Sequence, residues 1–375
     1  PQKNADPIVN ATQLVERMVG YAPDQLQLPI LCLLLHNLAT ALDILCELEL
    51  SARCLRRIVE LQPRNRKAMS SLLMLMNNLP EGSPGDIYRL SLKWGEGITV
   101  LPLPRQQLPV GPKVRVGYVS ADFYAHSVSY YFEPLLQQHD RSRFEVVCYS
   151  HQHREDAMTA RLKELADVWR RIERMDDRQV AEQIKQDQID ILVDLGGHTS
   201  KSRLEVFGYK PAPIQVNWLG YPNTTGLKTM DYRLVDGLAD PPAADRFHSE
   251  TLVRLPDGFH CYRPPLQTPE VNELPSLTNG YIVFGSFNKL SKVTNQVLEV
   301  WARILRQVPD SRLMLKYRQL DHGPVRDWII GKMNECGIPS ERLILKGTDR
   351  NHADHLRVYQ EIDIGLDPFP YNGTT

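Results

Sequence analysis

The spacing of hydrophobic residues changes near residue 113. Up to about Gly97, apolar positions recur every three to four residues, the period of a helix with one buried face. Ser51–Gln62 places Leu55, Ile58, Val59 and Leu61 together and is stopped by Pro63. Met69–Leu79 reads as a second helix, ended by Pro80, and Asp86–Trp94 as a third, with Ile87, Leu90 and Trp94 on one side. From Lys113, short apolar runs alternate with helical stretches. Val114–Val119, Phe144–Tyr149, Ile189–Leu195, Pro213–Leu219 and Tyr232–Val235 read as strands, with Val180–Gln186 a helix among them. After a proline-rich stretch ending near Pro275 the alternation restarts. Strand Tyr281–Phe287, helix Gln296–Gln307, strand Arg312–Tyr317, helix Val325–Cys336, strand Arg342–Lys346, helix Ala353–Gln360 and strand Ile362–Leu366 follow in turn. Short apolar strands separated by helices predict parallel sheets covered on both faces.

The predicted fold class is therefore α/β: two doubly wound domains in series, preceded by an α-helical region. Proline clusters at Pro80–Pro84, Pro102–Pro112, Pro241–Pro242 and Pro264–Pro275 mark the boundaries. They divide the chain into a helical region and linker over 1–100, a first α/β lobe over 111–265 and a second over 278–375. The natural ligand position for such a pair is the cleft between them. A helix closing in Leu-x-Pro ahead of another short helix is similar to a tetratricopeptide unit. A helical collar packed on the next domain fits the same pattern. The first residue is Pro1, and the chain stops at Thr375 where a helix is expected, so it reads as a piece of a longer protein.

Composition narrows the classes. Hydrophobic residues are 42% and charged residues 24%, ordinary for a globular protein. The formal net charge of -1 favours neither nucleic acid nor an anionic membrane as partner. No apolar run reaches transmembrane length, and Pro1–Asn10 is not a secretion signal. The six cysteines are scattered, with no Cys-x-x-Cys pair, and read as reduced core residues in a cytoplasmic-type compartment.

Candidate chemistry gathers where strands end. There is no Gly-x-Gly-x-x-Gly after a strand and no Walker P-loop, which excludes two common nucleotide fingerprints. His151, His153, Glu155 and Asp156 lack a partner from a second element and read as a solvated loop, so no metal site is expected. Asp122 and His126 follow the first strand. A histidine there either moves a proton near neutral pH or is a satisfied loop residue. Asp194-Leu195-Gly196-Gly197-His198 repeats the design after another strand; its glycines admit a ligand close to the backbone or simply form a turn. The Pro211–Pro222 stretch launches an apolar strand and ends in Leu219, Gly220, Tyr221 and Pro222, followed by Asn223–Gly226, which reads as flexible. Lys289 and Lys292 stand three apart at a strand–helix junction, suited to a diphosphate or merely solvated. Lys292 is expected to converge with Thr374 and Thr375, beyond the last strand, at the carboxyl edge of one sheet.

Together, VRVGYVSADFYAHS, IDILVDLGGHT, KPAPIQVNWLGYPNTTG, DYRLVD, FGSFNKLSKV and IDIGLDPFPYNGTT resemble, in order, the nucleocytoplasmic O-linked N-acetylglucosamine transferase family, which includes the plant SPINDLY proteins. The resemblance covers roughly Lys113 to Thr375. It implies a GT-B glycosyltransferase: two Rossmann-like lobes facing a cleft, inverting, metal-independent and without a cofactor. UDP-GlcNAc would be the donor and Ser or Thr of proteins the acceptor. Glycosyltransferases that hold the donor through a metal commonly use Asp-x-Asp, which is absent here. His126 matches the family histidine beside sugar and acceptor, and Lys292 the lysine on the diphosphate. Leu219, Gly220 and Pro222 match the loop lining the sugar pocket. His355 matches a histidine near the nucleotide, and Thr374 and Thr375 the diphosphate-binding turn that begins at Asn372. Lys289, Ser291, Thr374 and His198 stand where animal members have Gln, Tyr, His and Tyr, a bacterial-type set. Two alternatives keep the fold: a protein O-fucosyltransferase using GDP-fucose, and a catalytically inactive helical-repeat adaptor.

Overall fold

The computed structural model describes residues 7–24, 26–80, 82–96, 98, 112–153, 155–264, 268–349 and 351–374. They fall into two compact units, the first within Arg64–Met74 and Ser83–Pro264 and the second within Pro1–Pro63, Leu75–Gly82 and Pro265–Thr374.

The first unit is a seven-stranded parallel sheet of β1 (Val114–Ser120), β2 (Phe144–Ser150), β3 (Val168–Arg171), β4 (Ile191–Asp194), β5 (Ile214–Asn217), β6 (Tyr232–Asp236) and β7 (Thr251–Leu255). Its order is β3-β2-β1-β4-β5-β6-β7. The chain steps outward from β1 to β3, returns to the other side of β1 with β4, and steps outward again. The winding therefore reverses between β1 and β4. The central strands are buried, as continuous apolar runs require. Val116, Tyr118, Val146, Cys148 and Val193 pack against Phe123, Phe132, Leu136 and Leu162. The outer strands β3 and β7 carry Arg170, Arg171 and Arg254 and are partly exposed, so no apolar run betrays them. The helix Ser127–Gln138 also lacks a sequence signal, because Pro134 sits inside it.

The second unit contains a four-stranded parallel sheet of β8 (Val283–Ser286), β9 (Arg312–Lys316), β10 (Leu343–Lys346) and β11 (Ile364–Gly365) in the order β10-β9-β8-β11. The winding reverses between β8 and β11. The helix Asn295–Gln307 buries Val297, Leu298, Trp301 and Leu305 on the sheet, each worth roughly 1.5–3 kcal/mol of transfer. The strand expected over Ile362–Leu366 pairs only at Ile364 and Gly365, on the sheet edge. Before the sheet come helices Pro7–Gly20, Leu28–Ile44 and Leu48–Leu61. The last two form a hairpin whose turn at Cys46 (φ 65°) packs on the core of this unit. Asp43 pairs with Lys289 at 2.9 Å, and Gln319 Nε2 donates to the Ile44 carbonyl at 2.7 Å.

Candidate active site

In an open parallel sheet, ligands bind beyond the carboxyl ends of strands where the winding reverses. At the two reversals stand Asp122 and His126, after β1, and Lys292 and Asn372, after β8 and β11.

In the first unit the reversal lies between β1 and β4. The loop after β1 carries Asp122 and His126. Asp156 fixes it: this residue caps the helix Ala157–Leu165 and accepts from the Ala125 N–H at 2.8 Å. His126 is half-exposed and caps the helix Ser127–Gln138, its Nδ1 accepting from the Val128 N–H at 3.3 Å. The Asp122 Oδ2 lies 3.9 Å from the same nitrogen. Burial raises the Asp122 carboxyl above the usual range, opposed by His126 and Lys201. The neutral cap leaves the ring proton on Nε2. A ring protonated at Nδ1 instead faces the carboxylate and frees Nε2 to accept. Asp156, read from the sequence as part of a solvated loop, is instead the cap of the helix Ala157–Leu165.

The turn after β4 is held from beneath. Asp194 is 1% exposed and accepts from the N–H groups of Gly196 (3.1 Å) and Gly197 (2.7 Å) and from Asn217 Nδ2 (2.8 Å). Asn217 Oδ1 in turn accepts from Arg233, which also donates to the Tyr221 carbonyl at 2.8 Å. Gly197 has φ 56°, and a Cβ there would stand 2.4 Å from the Tyr221 Cβ. A Cβ on Gly220 would stand 2.0 Å from the Leu195 carbonyl oxygen. Leu219, Gly220 and Pro222 thus lie on a loop pressed onto the β4 turn, with Leu219 itself at φ 77°.

His198 does not reach an open surface. It is buried, with Nε2 2.9 Å from the Thr225 carbonyl and Nδ1 3.1 Å from Ser70 Oγ. Trp94 and Tyr221 stand edge-on to the ring. Burial lowers its pKa to about 4, so it is a neutral strut at physiological pH. The Asn223–Gly226 segment is likewise not flexible. Thr224 and Thr225 are fully buried, and the Glu250 carboxylate accepts from both hydroxyls and from the Thr225 N–H.

In the second unit the reversal lies between β8 and β11. Lys292 ends a short turn, Leu290–Lys292, after β8. Its ammonium donates to the Asn372 carbonyl at 2.8 Å and sits 3.8 Å from the centre of the Tyr371 ring. Asp367 Oδ1 accepts from Asn288 Nδ2 at 3.2 Å and from the Gly373 N–H at 3.0 Å. These bonds stitch the two strand-end loops together. Burial lowers the Lys292 pKa to about 8, with Lys289 adding to the shift and Asp367 opposing it. Lys289 itself is turned to Asp43. Thr374 is exposed beside Gly373, and Thr375 lies outside the described residues. His355 lies on the helix His352–Arg357, its Nδ1 2.7 Å from Lys316 Nζ. Phe287 and Tyr359 stand edge-on to its ring. Burial and the Lys316 charge lower its pKa, with Asp349 opposing. A ring that accepts at Nδ1 presents Nε2–H as a donor.

Comparison with known proteins bears on the family and the fold. The family described as "Glycosyl transferase family 41" matches residues 100–262 and 268–375. A protein of Oryza sativa subsp. japonica named "Probable UDP-N-acetylglucosamine--peptide N-acetylglucosaminyltransferase SPINDLY" is 41% identical over 328 residues, covering 85% of this chain and 35% of its own. A protein of the same name from Arabidopsis thaliana is 41% identical over 325 residues, with 84% and 35% covered. The chain thus spans about a third of the length of these curated relatives. A solved structure, a mutant of the Thermobaculum terrenum O-GlcNAc transferase, superposes with a TM-score of 0.86 at 35% identity, covering 91% of this chain and 66% of that one. The two parallel α/β lobes are of GT-B type, and the chain belongs to glycosyl transferase family 41.

Proposed function

We propose that this chain is the greater part of the catalytic region of a protein O-GlcNAc transferase, moving N-acetylglucosamine from UDP-GlcNAc to Ser or Thr hydroxyls with inversion. One observation carries the reading: a half-buried ammonium, Lys292, stands at the winding reversal of a parallel sheet against the Asn372–Thr374 turn. As the acceptor hydroxyl attacks the anomeric carbon, the bond to the diphosphate breaks and negative charge grows on the leaving oxygen. Lys292 stabilises that charge, with the turn supplying backbone N–H groups. His355 Nε2–H and the aromatic rings beside it suit the nucleotide base. His126, with Asp122, attends the acceptor side. Leu219, Gly220 and Pro222 wall the sugar. Lys292 supplies the charge that a metal ion would otherwise provide, so the reaction is metal-independent. Among the described residues no helix is long and apolar enough to cross a membrane. The six free thiols support a reducing, cytoplasmic-type compartment.

The test is donor-dependent hydrolysis and peptide transfer across UDP- and GDP-sugars, with Lys292→Ala in the full chain. UDP-GlcNAc is the expected donor, with turnover unaffected by excess EDTA. Losing one preorganised charge costs on the order of 3 kcal/mol, roughly a hundredfold in rate. Near wild-type turnover in Lys292→Ala would remove the assignment, and turnover with GDP-fucose alone would replace the donor.

A further inference from the structure

We infer that Arg233 is a positioning residue for the sugar-pocket wall, acting through Asn217 and Tyr221. The inference rests on the proposed reaction for what the wall contacts, and on geometry alone for how it is held. Arg233 is 2% exposed, on β6, in a position that a buried strand ordinarily gives to an apolar side chain. Its guanidinium does two things at once. One nitrogen donates to Asn217 Oδ1 on β5, and another to the Tyr221 carbonyl in the loop beyond β5. Asn217 passes the connection on through Nδ2 to Asp194, which grips the Gly196–Gly197 turn beyond β4. The carboxyl ends of β4 and β5 and the start of β6 are therefore tied by one chain of buried hydrogen bonds.

The tied loop needs restraint. Leu219 is held at φ 77°, a region that a branched side chain occupies only when its surroundings compel it. Gly220 lies against the Leu195 carbonyl with no room for a Cβ. Released from Tyr221, the loop has a lower-strain conformation available, and its half-buried edge at Leu219, Gly220 and Pro222 moves with it. Displacements of about 1 Å in a positioning group can cost a hundredfold in rate. Lysine preserves the buried charge but lacks the fork that reaches two acceptors.

The experiment uses Arg233→Lys in the full chain, with three readouts: UDP affinity, UDP-GlcNAc turnover per protease-resistant molecule, and melting temperature. We expect UDP affinity within twofold of wild type, turnover lowered at least tenfold, and melting lowered only slightly. Gly197→Ala, whose added Cβ would press on the Tyr221 side chain and leave Arg233 intact, is expected to give the same split. Turnover near wild type in Arg233→Lys overturns the inference. So does a loss of turnover matched by an equal loss of UDP affinity, since that reports general damage. If the wild-type protein does not turn over UDP-GlcNAc at all, the proposed function fails first and separately.

Discussion

Lys292 shows how one residue's surroundings set its chemistry. Burial holds its pKa to about 8, so the free protein sheds the ammonium proton above that pH. The kcat/KM for donor, which reports the free protein, is expected to fall about tenfold per pH unit beyond 8. The kcat is expected to stay level to higher pH, because a bound diphosphate holds the proton on. Lys292→Arg should abolish the inflection, and an unchanged profile would place the titration elsewhere. Stability moves the other way: above pH 8 the unfolded chain keeps a proton that the folded chain has released, so the fold gains as pH rises toward 10.5. For His126 the discriminating variant is His126→Ala. The side chain is half-exposed and caps one helix, so stability is expected to change by about 1 kcal/mol or less. Peptide transfer is expected to drop while donor hydrolysis survives. A steep melting loss with turnover tracking the folded fraction would make the histidine structural. Lys292 and His126 are legible in the sequence because each follows an apolar run that ends abruptly. Asn217 and Arg233 are harder to see. Each is a single polar residue inside an apolar strand, and only the fold reveals that the two face one another.

At the scale of elements, the strongest sequence signals belong to buried strands and to the helix Asn295–Gln307, whose apolar stripe survives intact. The failures share a cause. Strands β3 and β7, at the sheet's edges, and the helix containing Pro134 owe their existence to neighbours rather than to their own pattern. The helix Pro84–Glu96 is legible as a helix, but its docking is not. It approaches the Thr225–Leu227 segment backbone to backbone: a Cβ on Gly95 would stand 2.1 Å from the Gly226 carbonyl oxygen, and one on Gly226 2.0 Å from that of Ser91. Gly226 also has φ 74°. Gly226→Ala is therefore expected to cost about 3 kcal/mol or more, lowering the melting temperature by roughly 6–12 °C. Gly237→Ala, where a Cβ meets nothing within 4 Å, is the control and should change little. Equal melting of the two variants would refute the backbone contact.

Over the whole molecule, the alternation of strands and helices predicts both parallel sheets correctly, because burial on two faces writes itself into every central strand. The membership of the compact units is not legible. Nothing in residues 28–61 announces that their hairpin turn packs on a core made by Leu298, Leu313 and Leu320. Such a pairing depends on complementary surfaces at great sequence separation, which local periodicity does not encode. This discontinuity bears on synthesis. The hairpin leaves the ribosome before the seven-stranded sheet, yet the surface that covers Cys46 and receives Asp43 and Ile44 emerges only after every strand of that sheet. A nascent chain halted near Pro264 would carry a finished sheet and an orphaned hairpin, making that interval the point of greatest exposure to misassembly and to chaperone capture.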